Sequence, residues 1–113
     1  MRGKSPGLRM TLATQLVLRA MLAEPAKEMY GLQVCQAAGL PSGTIHPILA
    51  RFEAMGWLES RWEDIKPETE GRPRRRYYRL TEDGAERARI ALAQATTSVS
   101  AIGLRVRPAG GLA

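Results

Sequence analysis

Apolar residues recur at steps of three and four along several segments of the chain, the spacing of amphipathic helices. The first segment predicts a helix over residues 12–23, with Thr11 able to cap its start and Pro25 just beyond its end. Because this helix is apolar over most of its surface, we expect other elements to cover it on more than one side. A second helix is predicted over residues 29–38, where Gly39 ends it.

The third predicted helix begins near residues 42–44, where Ser42 and Thr44 are able to cap it, and ends before Gly56. One side is an apolar stripe made of Ile45, Ile48, Leu49, Phe52 and Met55. The other side is small or polar and comprises Gly43, Thr44, His46, Pro47, Ala50, Arg51 and Ala54. Pro47 is compatible with a helix if it lies in or just after the first turn, where few N–H bonds are lost.

Residues 57–63 and 74–80 alternate between two faces, which predicts two strands. The polar loop between them, residues 64–73, makes the pair a hairpin with a projecting tip. Trp57 and Trp62 stand near the start and end of the first strand. They either form an aromatic effector pocket or, as we favour, pack in the core and at the hinge.

Thr81 is expected to cap a last helix, whose apolar positions have the spacing of a short heptad seam. This C-terminal seam consists of Ala85, Ala88, Leu92, Ala95, Val99 and Ile102. It packs either on its own domain or, as we favour, on a second copy of the chain.

The order of elements predicts a mainly α (α+β) fold, a winged helix-turn-helix with a two-stranded β-wing and a C-terminal dimerisation helix. The expected divisions are a flexible basic arm at 1–10, the winged domain at 11–80, the dimerisation helix at 81–104 and a frayed tail at 105–113.

The balance of charge indicates a polyanionic partner. The 113 residues fit one domain and carry 17 Lys and Arg against 11 Asp and Glu, a formal charge of +6. Charge alone does not choose between nucleic acid and an anionic membrane. No stretch has the length and apolarity of a membrane span. The basic start and the apolar run after it resemble a signal peptide, but Gln15 and Arg19 interrupt that run, which we interpret as a buried helix. The single cysteine, Cys35, excludes an intrachain disulfide and suits a reducing cytoplasm.

The sequence carries no recognisable catalytic or metal-binding set. The acidic residues considered as catalytic groups lack a nucleophile partner and metal-ligand spacing: Glu53, Glu59, Glu63 and Asp64. His46 is the single histidine, and Cys35 is not placed to cluster with it. We therefore expect no enzymatic activity, no metal and no other cofactor.

Five arginines fall within residues 72–79, beside two tyrosines, and their guanidinium groups match the dense phosphate charge of DNA. A solvated loop would have the same composition, but here the run follows a helix-turn-helix pattern. The turn AGLPS contains the glycine typical of that motif, and the third helix has one face for the core and one for the major groove. The candidate DNA contacts are Tyr30, Ser42, Gly43, Thr44, His46, Pro47, Arg51, Arg72, Arg74, Arg75 and Tyr77.

At four places the sequence resembles the PadR family of winged-helix transcriptional regulators. These are the pair Tyr30-Gly31, GLPSGTIHPIL at 39–49, FEAMGWLE at 52–59 and EGRPRRRYYRLTEDG at 70–84. The resemblance implies a homodimeric, usually repressing, DNA-binding protein that dimerises through its C-terminal helix. His46 stands where the family usually has Tyr, and the C-terminal region allows one helix, as in the smaller subgroup. Some small members bind planar aromatic drugs beside a tryptophan in that helix, whereas this chain has no aromatic residue after Tyr78.

The sequence thus predicts a DNA-binding transcriptional regulator in the cytoplasm, associated with the nucleoid, that represses from a palindromic operator as a homodimer. The alternative is a basic winged-helix architectural or protein-interaction module without sequence-specific readout. The predicted partners are double-stranded DNA and a second copy, with no membrane, and any small-molecule effector is unknown. The predicted dimer contacts are Leu12, Leu16, Ala88, Leu92, Ala95, Val99 and Ile102.

Overall fold

The structure, a computed structural model, describes residues 10–106, with side chains described as far as residue 95. In chain order its elements are α1 (Leu12–Leu22), β1 (Met29–Tyr30), α2 (Gly31–Ala38), α3 (Ser42–Ala54), β2 (Leu58–Trp62), α4 (Pro67–Glu70), β3 (Arg76–Leu80) and α5 (Glu82–Val106). The predicted arm lies outside the described residues except for its last residue, as does the predicted tail beyond residue 106. The side chains of Val99 and Ile102 also lie outside them.

The ends of the first two helices follow from local chemistry. The Thr11 hydroxyl accepts a hydrogen bond from the backbone N–H of Thr14 at 3.1 Å, which confirms the predicted cap of α1. Gly39 ends α2 with a positive φ of 73°, and its N–H donates to the carbonyl of Cys35 at 2.8 Å.

The second helix starts two residues later than predicted, because Met29 and Tyr30 form a short strand instead. They pair with β3, Met29 opposite Tyr78 and Tyr30 opposite Tyr77. The sheet is antiparallel with the order β1-β3-β2, so the prediction of a two-stranded sheet missed its third strand. The winged-helix class itself is confirmed.

The wing, defined here as residues 58–80, is the hairpin of β2 and β3 with its connecting loop. Leu58 pairs with Leu80 at the base and Trp62 with Arg76 at the far end, so both strands are shorter than predicted. The loop is not wholly irregular, because residues 67–70 form the short helix α4. Gly71 ends that helix with a φ of 73°.

The hydrophobic core lies among α1, α2, α3, the sheet and the start of α5. Its largest fully buried side chains include Leu18, Met21, Ile45, Leu49 and Phe52. The predicted apolar stripe of the third helix is therefore confirmed, with Met55 half-buried at its end. Phe52 stacks on Trp57 with ring centroids 4.9 Å apart. Burying each such side chain contributes about 1.5–3 kcal/mol, so α3 is held firmly by its inner face.

Helix α5 begins against the turn that follows α3. Thr81 caps it by accepting from the N–H of Gly84 at 2.8 Å, as predicted, and the Thr81 N–H donates to the carbonyl of Trp57 at 3.0 Å. A Cβ on Gly84 would lie only 2.6 Å from the carbonyl carbon of Trp57, so a glycine is needed for this close approach.

The first part of the C-terminal seam faces its own domain. Ala85 and Ala88 of the seam are buried in the core, as is the neighbouring Ala91, and α5 packs against α1. The assignment of Ala88 to a partner contact is therefore wrong, because its side chain is fully enclosed by the same chain. Among the other predicted contacts, Leu16, Leu92 and Ala95 are half-buried and Leu12 is 71% exposed.

Candidate nucleic-acid interface

The outer side of α3 presents small and polar residues. Ser42, Gly43, His46, Pro47, Ala50 and Ala54 are exposed, and Thr44 is half-buried. The residue that caps the helix is Pro41, which makes no side-chain cap bond, so Ser42 and Thr44 lie inside the helix and do not cap it as expected. Pro47 lies just after the first turn of α3, where a helix tolerates a proline. This face offers few bulky groups, which suits a close approach to base edges.

His46 is held against the start of α2. A Cβ on Gly31 would lie 2.9 Å from the imidazole Cε1, so the glycine of the Tyr30-Gly31 pair makes room for this ring. Because the contact joins α2 to the outer side of α3, it fixes where the imidazole is presented.

Arg51 is less free than its position on the polar side of α3 predicts. Its side chain is half-buried, and within the described residues its Nε is buried without a hydrogen-bond partner. The terminal nitrogens are therefore the part of the guanidinium with access to a ligand. Its role as a DNA contact stays a prediction.

Carboxylates of the same chain neutralise several arginines of the sheet. Arg72 donates two hydrogen bonds to Glu63, at 2.7 and 2.9 Å. Three further ion pairs join Arg61 to Glu28, Arg76 to Glu53, and Arg79 to Glu59. Sequence proximity does not reveal most of these pairs, because the Arg61 and Arg76 partners are 33 and 23 residues away along the chain.

Glu63 organises the tip of the wing. Its carboxylate accepts the two bonds from Arg72 and a third from the backbone N–H of Arg75 at 3.1 Å. The Arg72 bond, with the backbone bond as a further contribution, lowers the pKa of Glu63 to about 2. The carboxylate therefore stays ionised and keeps Arg72 engaged at neutral pH. The hydrogen bond from Arg61 likewise lowers the pKa of Glu28.

Arg74 and Arg75 differ from these paired arginines. Arg74 donates from Nε to the carbonyl of Ile65 at 2.8 Å, and the Arg75 guanidinium lies 4.3 Å from the centroid of the Tyr30 ring. Neither forms an ion pair with a carboxylate within residues 10–95. They are the members of the arginine run whose charge is not neutralised by an ion pair.

Tyr30 and Tyr77 form an aromatic pair on the outer side of the sheet. Their rings meet edge to face with centroids 5.6 Å apart, and the Arg61 guanidinium lies 5.1 Å from the Tyr77 centroid. The half-buried Tyr77 is thus held among cations, as is Tyr30 beneath Arg75. The structure brings Tyr30, His46 and Arg75 together around one cavity, although they are distant in sequence.

Trp62, which was not among the predicted DNA contacts, lies at the candidate interface. It is 58% exposed, so the expectation that it packs at a hinge is wrong, whereas Trp57 packs in the core as expected. Trp62 lines a cavity of about 350 Å³ between α3 and the sheet, together with Tyr30, Gly31, His46, Arg75, Arg76 and Tyr78. Strand alternation places Trp62 on the same face as Leu58, but it does not reveal that the core ends before Trp62 is reached.

Across residues 10–106, no cluster of His, Cys, Asp and Glu has the arrangement of a metal site. In the same part of the chain, no helix has both the length and the apolarity to cross a membrane.

The model of the transcriptional regulator PadR-like family matches residues 18–90. No protein of curated function matches the sequence. A PadR family transcriptional regulator from Eggerthella lenta DSM 2243 is similar in structure, with a TM-score of 0.63 and 25% identity over 90% of this chain and 88% of that one.

Two further structures show the same fold at lower identity. A PadR family regulator from Clostridium difficile R20291 has a TM-score of 0.64 and 20% identity, covering 87% of this chain and all of that one. A PadR-like regulator from Bacillus cereus ATCC 14579 has a TM-score of 0.63 and 16% identity, covering 86% and 93%.

Proposed function

Because the chain belongs to the PadR-like family of transcriptional regulators, which act by binding DNA, we propose that it binds a palindromic operator as a homodimer. On this proposal it acts in the cytoplasm, at the nucleoid, and represses the genes beside the operator. The direction of regulation rests on the family resemblance alone, and a promoter-reporter assay with and without the protein tests it.

The observation that carries the proposal is the outer side of α3. An exposed row of small residues there, Gly43, Ala50 and Ala54, lets the helix approach the floor of the major groove. On the proposal, Thr44, His46 and Arg51 read base edges. Because the inner side of α3 is packed in the core, these side chains keep a fixed direction, which base-specific hydrogen bonds require.

The remaining candidate residues position the duplex on this proposal. Ser42 and Gly43 stand at the start of α3, where backbone N–H groups and the helix dipole favour phosphate. Arg74 and Arg75 supply charge that no ion pair within the described residues neutralises, whereas Arg72 must share its guanidinium with Glu63. Tyr30, Pro47 and Tyr77 complete the surface.

The operator is tested by selection from random duplexes. A dimer that places two α3 helices in successive major grooves needs half-site centres about 34 Å apart, or a multiple of that distance. We expect an inverted repeat with that spacing. Duplex binding that returns no common motif would favour the architectural alternative.

The dimer is proposed to form through α1 and α5, with Leu12, Leu16, Leu92, Ala95, Val99 and Ile102 as contacts. The exposed apolar side chain of Leu12 supports this assignment, because a lone chain leaves it in water. Leu12→Glu combined with Val99→Glu places a charge at one proposed contact on each of the two helices.

Sedimentation without DNA should report a dimer for the wild type and a monomer for this double variant. Leu32→Glu is the matched control, since Leu32 is an exposed leucine on α2, outside the proposed interface. A double variant that still sediments with the mass of a dimer would show that α1 and α5 do not form the interface.

A further inference from the structure

We propose that the cleft between α3 and the wing holds one sugar–phosphate strand of the duplex, and that Trp62 is the residue that contacts it. The indole ring packs against a deoxyribose, and its Nε1–H donates to a phosphate oxygen. This inference rests on the proposed function and names the part of the DNA that the cleft takes.

The position of Trp62 is unusual for so large an apolar side chain. It shares a sheet face with the buried Leu58, and with Ser60, whose hydroxyl donates to Glu53 on α3. One step further along the strand the core has ended, and the indole stands 58% exposed. Within residues 10–95 its Nε1–H makes no hydrogen bond, so a donor is available beside an open ring face.

The surroundings of Trp62 are cationic. Arg76, its cross-strand partner, places its guanidinium 5.1 Å from the indole centroid. The cavity toward α3 also contains His46 and Arg75. A second, more open cavity of about 600 Å³ toward the tip of the wing is lined by Trp62, Pro67, Pro73 and Arg74. The indole therefore lies between the two elements proposed to contact the DNA, with cations on both sides.

The geometry of a duplex explains why a strand fits there. The major and minor grooves are separated by a single sugar–phosphate strand on each side. When α3 enters the major groove and the wing tip meets the adjacent minor groove, that strand must pass through the cleft between them. Phosphates suit Arg74 and Arg75, and the apolar face of deoxyribose suits an indole, whose N–H reaches a neighbouring oxygen.

The two tryptophans of the chain make a direct test possible. Trp57 is 5% exposed and stacked on Phe52, whereas Trp62 is open to solvent. Acrylamide should therefore quench mainly Trp62 in the free protein. The Trp62→Phe variant isolates the signal of Trp57, and the difference between the two proteins gives the signal of Trp62.

A fluorescein-labelled duplex carrying the selected operator reports complex formation by anisotropy. Saturation with the same duplex, unlabelled, should protect Trp62 from acrylamide and leave the quenching of Trp57 in Trp62→Phe unchanged. Trp62→Ala should weaken binding roughly tenfold on operator and scrambled duplexes alike, the size expected for a lost hydrogen bond to a charged group. Trp62→Phe keeps an aromatic ring but lacks the N–H, so its affinity for DNA should lie between those of the wild type and Trp62→Ala. Unchanged emission of Trp57 verifies that each variant is folded.

The outcomes separate the inference from the function on which it rests. A complex that forms by anisotropy while Trp62 stays equally quenched, with Trp62→Ala binding as wild type, would overturn the inference and leave DNA binding intact. If Trp62 became protected from acrylamide on raising the protein concentration without DNA, Trp62 would belong to a contact between copies of the chain. That result would also overturn the inference. Failure to bind any duplex, even at low salt, would overturn the proposed function and the inference with it.

Discussion

Helix α3 and the wing hold their functional side chains in different ways. The inner side of α3 is anchored by Ile45, Leu49 and Phe52, so its outer residues project from a fixed frame. Within the wing only Leu58 and Leu80 are buried, and most of its arginines are paired with carboxylates of the same chain. Packing in the core thus fixes the orientation of α3, whereas ion pairs determine which arginines of the wing keep a charge that is not neutralised.

This difference bears on how each region can meet DNA. A base edge must be met by a donor or acceptor in one geometry, whereas phosphate attraction tolerates several. The five arginines of residues 72–79 overstate the free charge that the wing offers, because Arg72, Arg76 and Arg79 each have a carboxylate partner. The attraction is expected to be concentrated at Arg74 and Arg75.

The largest expected effect tests the anchoring of α3. Phe52→Ala removes a side chain that is 1% exposed and stacked on Trp57, and should lower the free energy of unfolding by about 3–5 kcal/mol. Urea unfolding followed by circular dichroism measures this loss. Asp64→Ala, at an exposed position in the wing, is the comparison and should change the free energy of unfolding by less than about 0.5 kcal/mol. Similar losses in both variants would mean that the two regions are anchored alike.

The next effect tests readout by α3. His46→Ala should weaken binding to the selected operator by about 1–3 kcal/mol and change binding to scrambled duplexes much less, because a base-edge contact is lost. Fluorescence anisotropy titrations on both duplexes measure the difference. Equal weakening on operator and scrambled duplexes would mean that His46 contacts the DNA backbone and not a base edge.

A smaller effect tests the wing as a source of charge. Arg74→Ala should weaken every duplex alike and reduce the slope of log affinity against log salt by about 0.9, the value for one phosphate contact. Titrations at several salt concentrations give the slope. The matched control is Arg79→Ala, which removes an equal charge already paired with Glu59 at the base of the wing and should leave the slope nearly unchanged. If Arg74→Ala instead relaxed base preference, the wing would be the reader.

The smallest effect is local and concerns Glu63. Since its folded-state pKa is lowered to about 2, the stabilisation it gives is present above the ordinary Glu pKa of about 4.3 and is lost as pH falls toward 2. A carboxyl titration by NMR should show that low midpoint. At pH 7, Glu63→Gln should speed hydrogen exchange at the Glu63 N–H, which donates to the Arg75 carbonyl, and leave α3 amides unchanged. A midpoint near 4.3 would mean that the pair with Arg72 does not persist in solution.

Local sequence signals predicted much of the fold. The steps of three and four found α1 and α3, and the residues Thr11, Gly39 and Thr81 marked helix ends, because caps depend on neighbours within one turn. Strand β1 was missed because two residues become a strand only by pairing with β3, which lies about 50 residues further along the chain. The helical pattern after Met29 gave no sign of that partner.

The candidate site was less predictable than the fold, for a similar reason. The arginine run was visible, but its neutralisation was not, since Glu28 and Glu53 come from distant segments. Periodicity gave the face of α5 that carries Ala88 without saying whether its neighbour is the same chain or another. The exposure of Trp62 depends on where the core ends, which no local pattern contains.

The close contact at Gly84 couples the start of α5 to the end of α3. Helix α5 spans 25 residues, about 37 Å at 1.5 Å per residue, and starts in van der Waals contact with the Trp57 backbone, directly after the turn that ends α3. Thr81 donates hydrogen bonds to the carbonyls of Gly56 and Trp57, and these bonds hold the start of α5 against the turn that ends α3. A tilt at the start of α5 would therefore be passed to the turn that ends α3.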